Sequence, residues 1–156
     1  MKKSFNLNIP DYFRKKTKKS FGKKGTQWVQ DVPDRLSRCI EKWHILDWEI
    51  GNNLSYNLII LAQSSEYGEV VLKIGVPHPD LFSEMKALSL YNGEFICKSY
   101  DHDQELGAML LEKVNPGYDL THLDDERKKI EIASDLITQL YIPINQKRSE
   151  EHTSEL

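Results

Sequence analysis

Val70, Val71, Leu72, Lys73 and Ile74 form an apolar, β-branched run with one lysine inside it. An ammonium buried alone in such a run is costly. Side chains alternate along a strand, so Val71 and Lys73 share one face. The next segment reads as a helix, with Leu81, Met85 and Leu88 on one stripe. Glu84 falls on the same stripe. A cation and a carboxylate therefore point toward one core from consecutive elements, and an ion pair resolves both charges. Each residue alone has a plainer reading, Lys73 as a strand-end lysine reaching for water and Glu84 as an exposed helix residue. As a pair they have the makings of a grip on phosphate groups.

Other candidate chemistry is thinner. Arg14, Lys15, Lys16, Lys18, Lys19, Lys23 and Lys24 make the segment 11–24 strongly basic, broken by Phe13 and Phe21. Such a run either meets an anionic partner, RNA or lipid head groups, or is the solvated face of an amphipathic helix ending near Gly22. Aromatic residues do not recur there at the spacing a single-strand binder needs, so a nucleic-acid partner is not expected. Cys39 and Cys97 form no CxxC pair and the histidines do not cluster, which points to free thiols and no zinc site. Cys39 lies on the apolar stripe Leu36, Cys39, Ile40 and Trp43, where packing is the expected role.

The elements that must position the pair follow from periodicity. The chain has 156 residues, 39% hydrophobic and 29% charged, with a net charge of −3. That balance suits a single soluble domain or part of one, with no global pull toward nucleic acid or membrane. No apolar run approaches a membrane span, and the N-terminus lacks the apolar core of a signal peptide. A helix is expected from residue 11 to near Gly22 and another over 34–43, with 25–33 between them. Strands are expected over 45–50, 58–62, 70–74, 95–100 and 108–112, with the Glu84 helix after the third. The polar stretch 101–107 joins the last two strands. Thr121 with Asp124 gives a weak capping signal. Ala133, Leu136, Ile137, Leu140 and Tyr141 then form a helical stripe that ends before Pro143. Three strands, a helix and two strands make an α+β pattern.

Several pieces together resemble a family. They are Trp28 with Asp31, Val32 and Pro33; Leu36 and Trp43; the stretch from Val71 through Lys73 and Gly75 to Pro77; Glu84 to Leu88; and Leu110 through Glu112 to Gly117. Their order and spacing resemble the streptomycin 6-phosphotransferase and hydroxyurea phosphotransferase group of the aminoglycoside phosphotransferase, protein-kinase-like superfamily, over about residues 9–143. The resemblance implies an α+β fold, a kinase-like N-terminal lobe with a five-stranded antiparallel sheet and a helix. Helices precede the lobe, and the first helix of a second lobe follows it. It implies segments 1–44 (helical), 45–114 (kinase-like lobe) and 115–147 (start of a truncated second lobe). It also implies ATP as phosphate donor, magnesium, a small-molecule hydroxyl as acceptor and a cytoplasmic protein. Lys73 would hold the α- and β-phosphates and Glu84 would orient it. The loop 51–57 would cover the phosphates. It has a single glycine, so Ser55, Tyr56 and Asn57 would supply donors. The Glu112 carbonyl and the Val114 amide would meet the adenine edge at the hinge. Related kinases of sugars or choline-like alcohols share this outline.

The acceptor-positioning H-G-D-x-x-x-x-N stretch of the family and its later metal-binding aspartate have no match in the sequence. Asp119, Asp124 and Asp125 read instead as helix-start residues, and His122 as an ordinary exposed histidine. The expectation is therefore a fragment without catalytic residues or magnesium ligands, inactive in transfer. Residues 148–156 resemble the in-frame translation of a DNA sequencing adapter, the alternative being an acidic tail. The competing function is a non-enzymatic module that binds an anionic partner through the basic segment.

Overall fold

The computed structural model describes residues 7–52 and 54–141. The adapter-like tail and Pro143 lie outside the described residues. A long helical element, α1 (Asp11–Lys42), leads into strands β1 (Ile45–Ile50), β2 (Leu58–Ser64) and β3 (Gly68–Ile74). Helix α2 (Pro79–Tyr91), strands β4 (Ser99–Asp103) and β5 (Ala108–Glu112), a 3-10 turn (Leu120–His122) and helix α3 (Glu126–Leu140) complete the order. The five strands form one antiparallel sheet in the order β1-β2-β3-β5-β4. This is the expected α+β lobe.

Strand alternation divides the core in two. Val70, Leu72 and Ile74 of β3, with Leu58, Ile60, Ala108 and Leu110, pack with Phe13, Trp28, Val32, Leu36 and Cys39 of α1. Val71, Met109 and Leu111 face the other way and pack with Leu81, Met85 and Leu88 of α2. The sheet is thus covered on both faces by helices whose apolar stripes were visible in the sequence.

Two expected elements shift. The segment 25–33 is helical rather than a connection, and Pro33 sits inside α1. Helix geometry breaks instead at Gly22, with φ 58° and ψ −133°, a backbone that suits glycine. In a continuous helix Phe13 and Trp28 would lie about 22 Å apart along the axis. Their ring centroids are 6.2 Å apart, so the chain doubles back at Gly22 and its two arms pack together. The expected strand over 95–100 begins only at Ser99 and continues through Asp103. Phe95 has φ 57°, outside the extended region, and the polar residues Asp101, His102 and Asp103 take the ladder positions opposite β5.

Side chains of α1 tie down that polar strand. Trp43 Nε1 donates to Asp101 at 2.8 Å, Lys42 pairs with Asp103 at 2.8 Å, and Arg35 donates to the carbonyls of Glu105 and Leu106 at 2.9 Å. Beyond the sheet, Asp125 caps α3 by accepting from the amides of Arg127 and Lys128, and Asp119 caps the 3-10 turn. The capping therefore falls to these aspartates and not to the Thr121 and Asp124 pair. Ile137 and Tyr141 on the α3 stripe stay exposed among the described residues.

Two predictions follow from these contacts. A Cβ on Gly25 would stand 2.5 Å from the Thr17 carbonyl oxygen of the opposing arm. Alanine normally favours a helix interior over glycine by about 1 kcal/mol. Here Gly25→Ala is expected to destabilise by about 1–3 kcal/mol in urea unfolding, because backbone must yield. An increased midpoint would mean that the two arms are not held together. Burial alone would raise the Asp103 carboxyl, but bonds from Lys42 and the Leu106 amide leave it below the usual range. Its contribution is complete above an unfolded pKa of about 4 and is lost as pH falls through the lower folded value. The stability gap between wild type and Asp103→Asn should therefore shrink below about pH 4. A gap that stays constant down to acid unfolding would exclude the charged pair as its source.

Candidate functional site

Lys73 stands on β3 between Ile59 of β2 and Met109 of β5 in the ladder. Its face is the α2 face, as alternation requires. His78 caps α2 through Nδ1, which accepts from the Asp80 amide, and a proline starts the first turn. With that start fixed, the buried stripe of Leu81, Met85 and Leu88 turns Glu84 toward β3. Lys73 Nζ and Glu84 Oε1 meet at 2.5 Å. The side chains are 19% and 38% exposed, so the pair sits at the rim of the core. A pair this accessible contributes at most about 1 kcal/mol to stability, so its main consequence is geometric.

The loop 51–57 lies beside it. The Gly51 amide donates to the Ile59 carbonyl at 2.8 Å, which closes the loop base. Leu54 is buried, and Ser55 and Tyr56 are exposed. Asn57 packs its amide over Gly75, where a Cβ would fall within contact of Asn57 Oδ1, so the glycine after β3 makes room for it. Tyr56, Asn57 and Glu84 line one cleft of about 320 Å³ with Ser20, Phe21 and His78. Three of the expected residues, Tyr56, Asn57 and Glu84, therefore line one space; Lys73 joins it through its pair with Glu84, and Ser55 lies on the same loop as Tyr56.

Glu112 and Val114 lie elsewhere. Glu69 and Lys73 stand on the same face of β3, about 13 Å apart along the strand, and Lys113 pairs with Glu69 at 2.7 Å. That bond to Lys113 holds the Glu69 carboxyl below its usual range. Glu112 is exposed, and its Oε2 accepts from the Lys98 amide at 3.0 Å while its own amide donates to the Lys98 carbonyl at 2.8 Å. Its side chain has a structural hydrogen bond at the end of β5. Val114 is 54% exposed. Between Lys113 and Lys73 the same sheet face carries Ile59, Leu61 and Val71, all half-buried. Ile59 and Leu61 were not singled out from the sequence, although pairing with Lys73 and Val71 would have found them.

The basic segment is partly committed to this lobe. Lys16 Nζ lies 3.5 Å from Ser55 Oγ and 4.3 Å from the centre of the Tyr56 ring, and Lys24 donates to the Pro77 carbonyl at 2.6 Å. The Phe21 ring rests 5.8 Å from His78. No local signal in the sequence could have brought Lys16 to a loop 39 residues away. Among the described residues, no group of three or more His, Cys, Asp or Glu side chains could hold a metal ion, and no helix is long and apolar enough to cross a membrane.

No family model matches the chain. It is similar to streptomycin 6-kinase of Streptomyces griseus, 21% identical over 141 residues, which cover 90% of this chain and 46% of that protein. It is also similar to hydroxyurea phosphotransferase of Kitasatospora aureofaciens, 24% identical over 121 residues, 76% of this chain and 36% of that protein. The chain thus spans less than half the length of these relatives.

The cysteines take no part in the cleft. Burial pushes the Cys39 thiol up to about 12, and burial, followed by the Glu112 and Glu84 carboxylates, raises Cys97. Thiolate is the reactive form. At pH 8 a thiol reagent should therefore modify the half-buried Cys97 slowly and leave Cys39 untouched until denaturant is added. Peptide mass spectrometry that found Cys39 labelled first in the native protein would contradict this packing.

Proposed function

We propose that the chain forms the nucleotide-binding half of an ATP-dependent phosphotransferase that phosphorylates a hydroxyl of a small molecule. The observation that carries this reading is the Lys73–Glu84 pair at 2.5 Å, set beside a cleft that Tyr56 and Asn57 share. Lys73 offers a fixed ammonium to the α- and β-phosphates, and Glu84 holds it in place. Ser55, Tyr56 and Asn57 add donors from the loop. The adenine end would lie on Ile59, Leu61 and Val71, with the Glu112 carbonyl and the Val114 amide at its edge. The separation of about 13 Å between the two ends of the β3 face suits a nucleotide laid along it.

The acceptor is a streptomycin-like aminoglycoside or hydroxyurea in this reading, by the names of the two relatives, and the biological outcome is resistance to such a compound. This chain's residues bind and orient the donor nucleotide. Magnesium would bridge the phosphates in such transfers, but the described residues offer it no ligand cluster, so no step is assigned to it. The carboxylate that positions the acceptor hydroxyl is likewise assigned to the part of the relatives that this chain does not cover.

Calorimetric titration with ATP tests the proposal. The 156-residue chain should bind ATP weakly but saturably, and Lys73→Met should weaken binding about tenfold, with the far-ultraviolet circular dichroism unchanged. Unaltered ATP affinity in Lys73→Met would remove the phosphate role. With radiolabelled ATP, streptomycin and hydroxyurea should remain unlabelled by the chain alone. Labelled product would show that the chain needs no second half.

A further inference from the structure

The phosphate end of the cleft has a charge problem. Lys73 is already neutralised by Glu84, and Asp80 adds a second carboxylate to the same lining. His78 stands 3.5 Å from Asp80 and offsets it only when protonated. A glycine-rich turn would answer with a row of backbone amides. Here the single loop glycine, Gly51, already donates its amide to Ile59. Hydroxyls and amides from Ser55, Tyr56 and Asn57 carry no net charge. A polyphosphate brought to this cleft would meet little net positive charge from its own lobe.

We infer that Lys16 of α1 is the second phosphate-contacting cation of this site, one that grips the terminal phosphate of a nucleoside triphosphate. The inference rests on the nucleotide reading above. Lys16 comes from outside the sheet lobe, and the fold-back at Gly22 fixes the arm that carries it. One turn along the same helix face, Ser20 lines the cleft itself. Among the described residues no carboxylate pairs with Lys16. Its contacts are a long hydrogen bond to Ser55 and the face of Tyr56, both on the phosphate loop. Those contacts are weak enough to exchange for a phosphate oxygen, which binds an ammonium through a charge-assisted bond. Lys24 is less suited, because the Pro77 carbonyl already holds it at 2.6 Å.

The test compares ATP, AMP and adenosine binding in the full chain and its variants. Lys16→Met should weaken ATP about tenfold and change AMP and adenosine by no more than about twofold. Lys16→Arg should restore most of the ATP affinity. Lys19→Met, an exposed lysine on the same arm, should match wild type. Equal weakening of all three ligands in Lys16→Met would reduce Lys16 to a staple for the loop and overturn the inference. Unchanged ATP binding in Lys16→Met, with Lys73→Met still impaired, would overturn it while leaving the nucleotide reading intact. If wild type binds none of the three, or Lys73→Met matches wild type, the nucleotide reading fails and this inference falls with it.

Discussion

An ammonium on an apolar sheet face must find a counter-charge or water, and the lobe is arranged around how Lys73 does so. Val70, Leu72 and Ile74 are fully buried on one side of β3. Alternation then commits Lys73 to the other side, where α2 lies. A helix packed there by Leu81, Met85 and Leu88 can present one more inward residue per turn, and at that position stands Glu84. The cap at His78 and the proline after it fix where the turns begin. A start shifted by one residue would rotate Glu84 about 100° away from Lys73. The ion pair is therefore the outcome of three independent registers that agree.

Helix α1 does more than cover the back of the sheet. Its C-terminal arm and the Trp43 that caps it supply Arg35, Lys42 and the Trp43 indole to the polar strand β4 and the turn after it. Its N-terminal arm reaches the loop and the start of α2 through Lys16, Phe21 and Lys24. The same element thus holds both the polar edge strand of the sheet and the rim of the cleft. The close approach of the two arms depends on glycine twice, at Gly22 for its backbone and at Gly25 for its missing side chain.

Much of this was legible in the sequence because it is local. The boundaries of β1 and β5, the apolar stripe of α2 and the Lys73–Glu84 pairing follow from periods of two and 3.6. What was hidden is long-range or masked by punctuation. Gly25 and Pro33 suggested a connection, yet packing of Trp28, Val29 and Val32 against the sheet makes that stretch helical. The apolar residues Phe95, Ile96 and Cys97 suggested a strand, while the actual one is polar because α1 supplies partners for Asp101 and Asp103. The apolar floor of Ile59 and Leu61 needed strand register, and the arrival of Lys16 beside Tyr56 needed the fold-back at Gly22.

The modest energy of the Lys73–Glu84 pair bears on what it is for. A pair at 19% and 38% exposure is too well hydrated to hold the lobe together, and the buried apolar side chains on either face outweigh it many times over. Replacing both residues by apolar ones would cost the fold little. What such a replacement would lose is a cation held at a fixed place on the sheet face, between Ile59 and Met109. The constraints that produce the pair, strand alternation in β3 and the apolar stripe and cap of α2, act on position rather than on strength. Placement is what the nucleotide site proposed above would use, because a phosphate group gains most from an ammonium that need not reorganise to meet it.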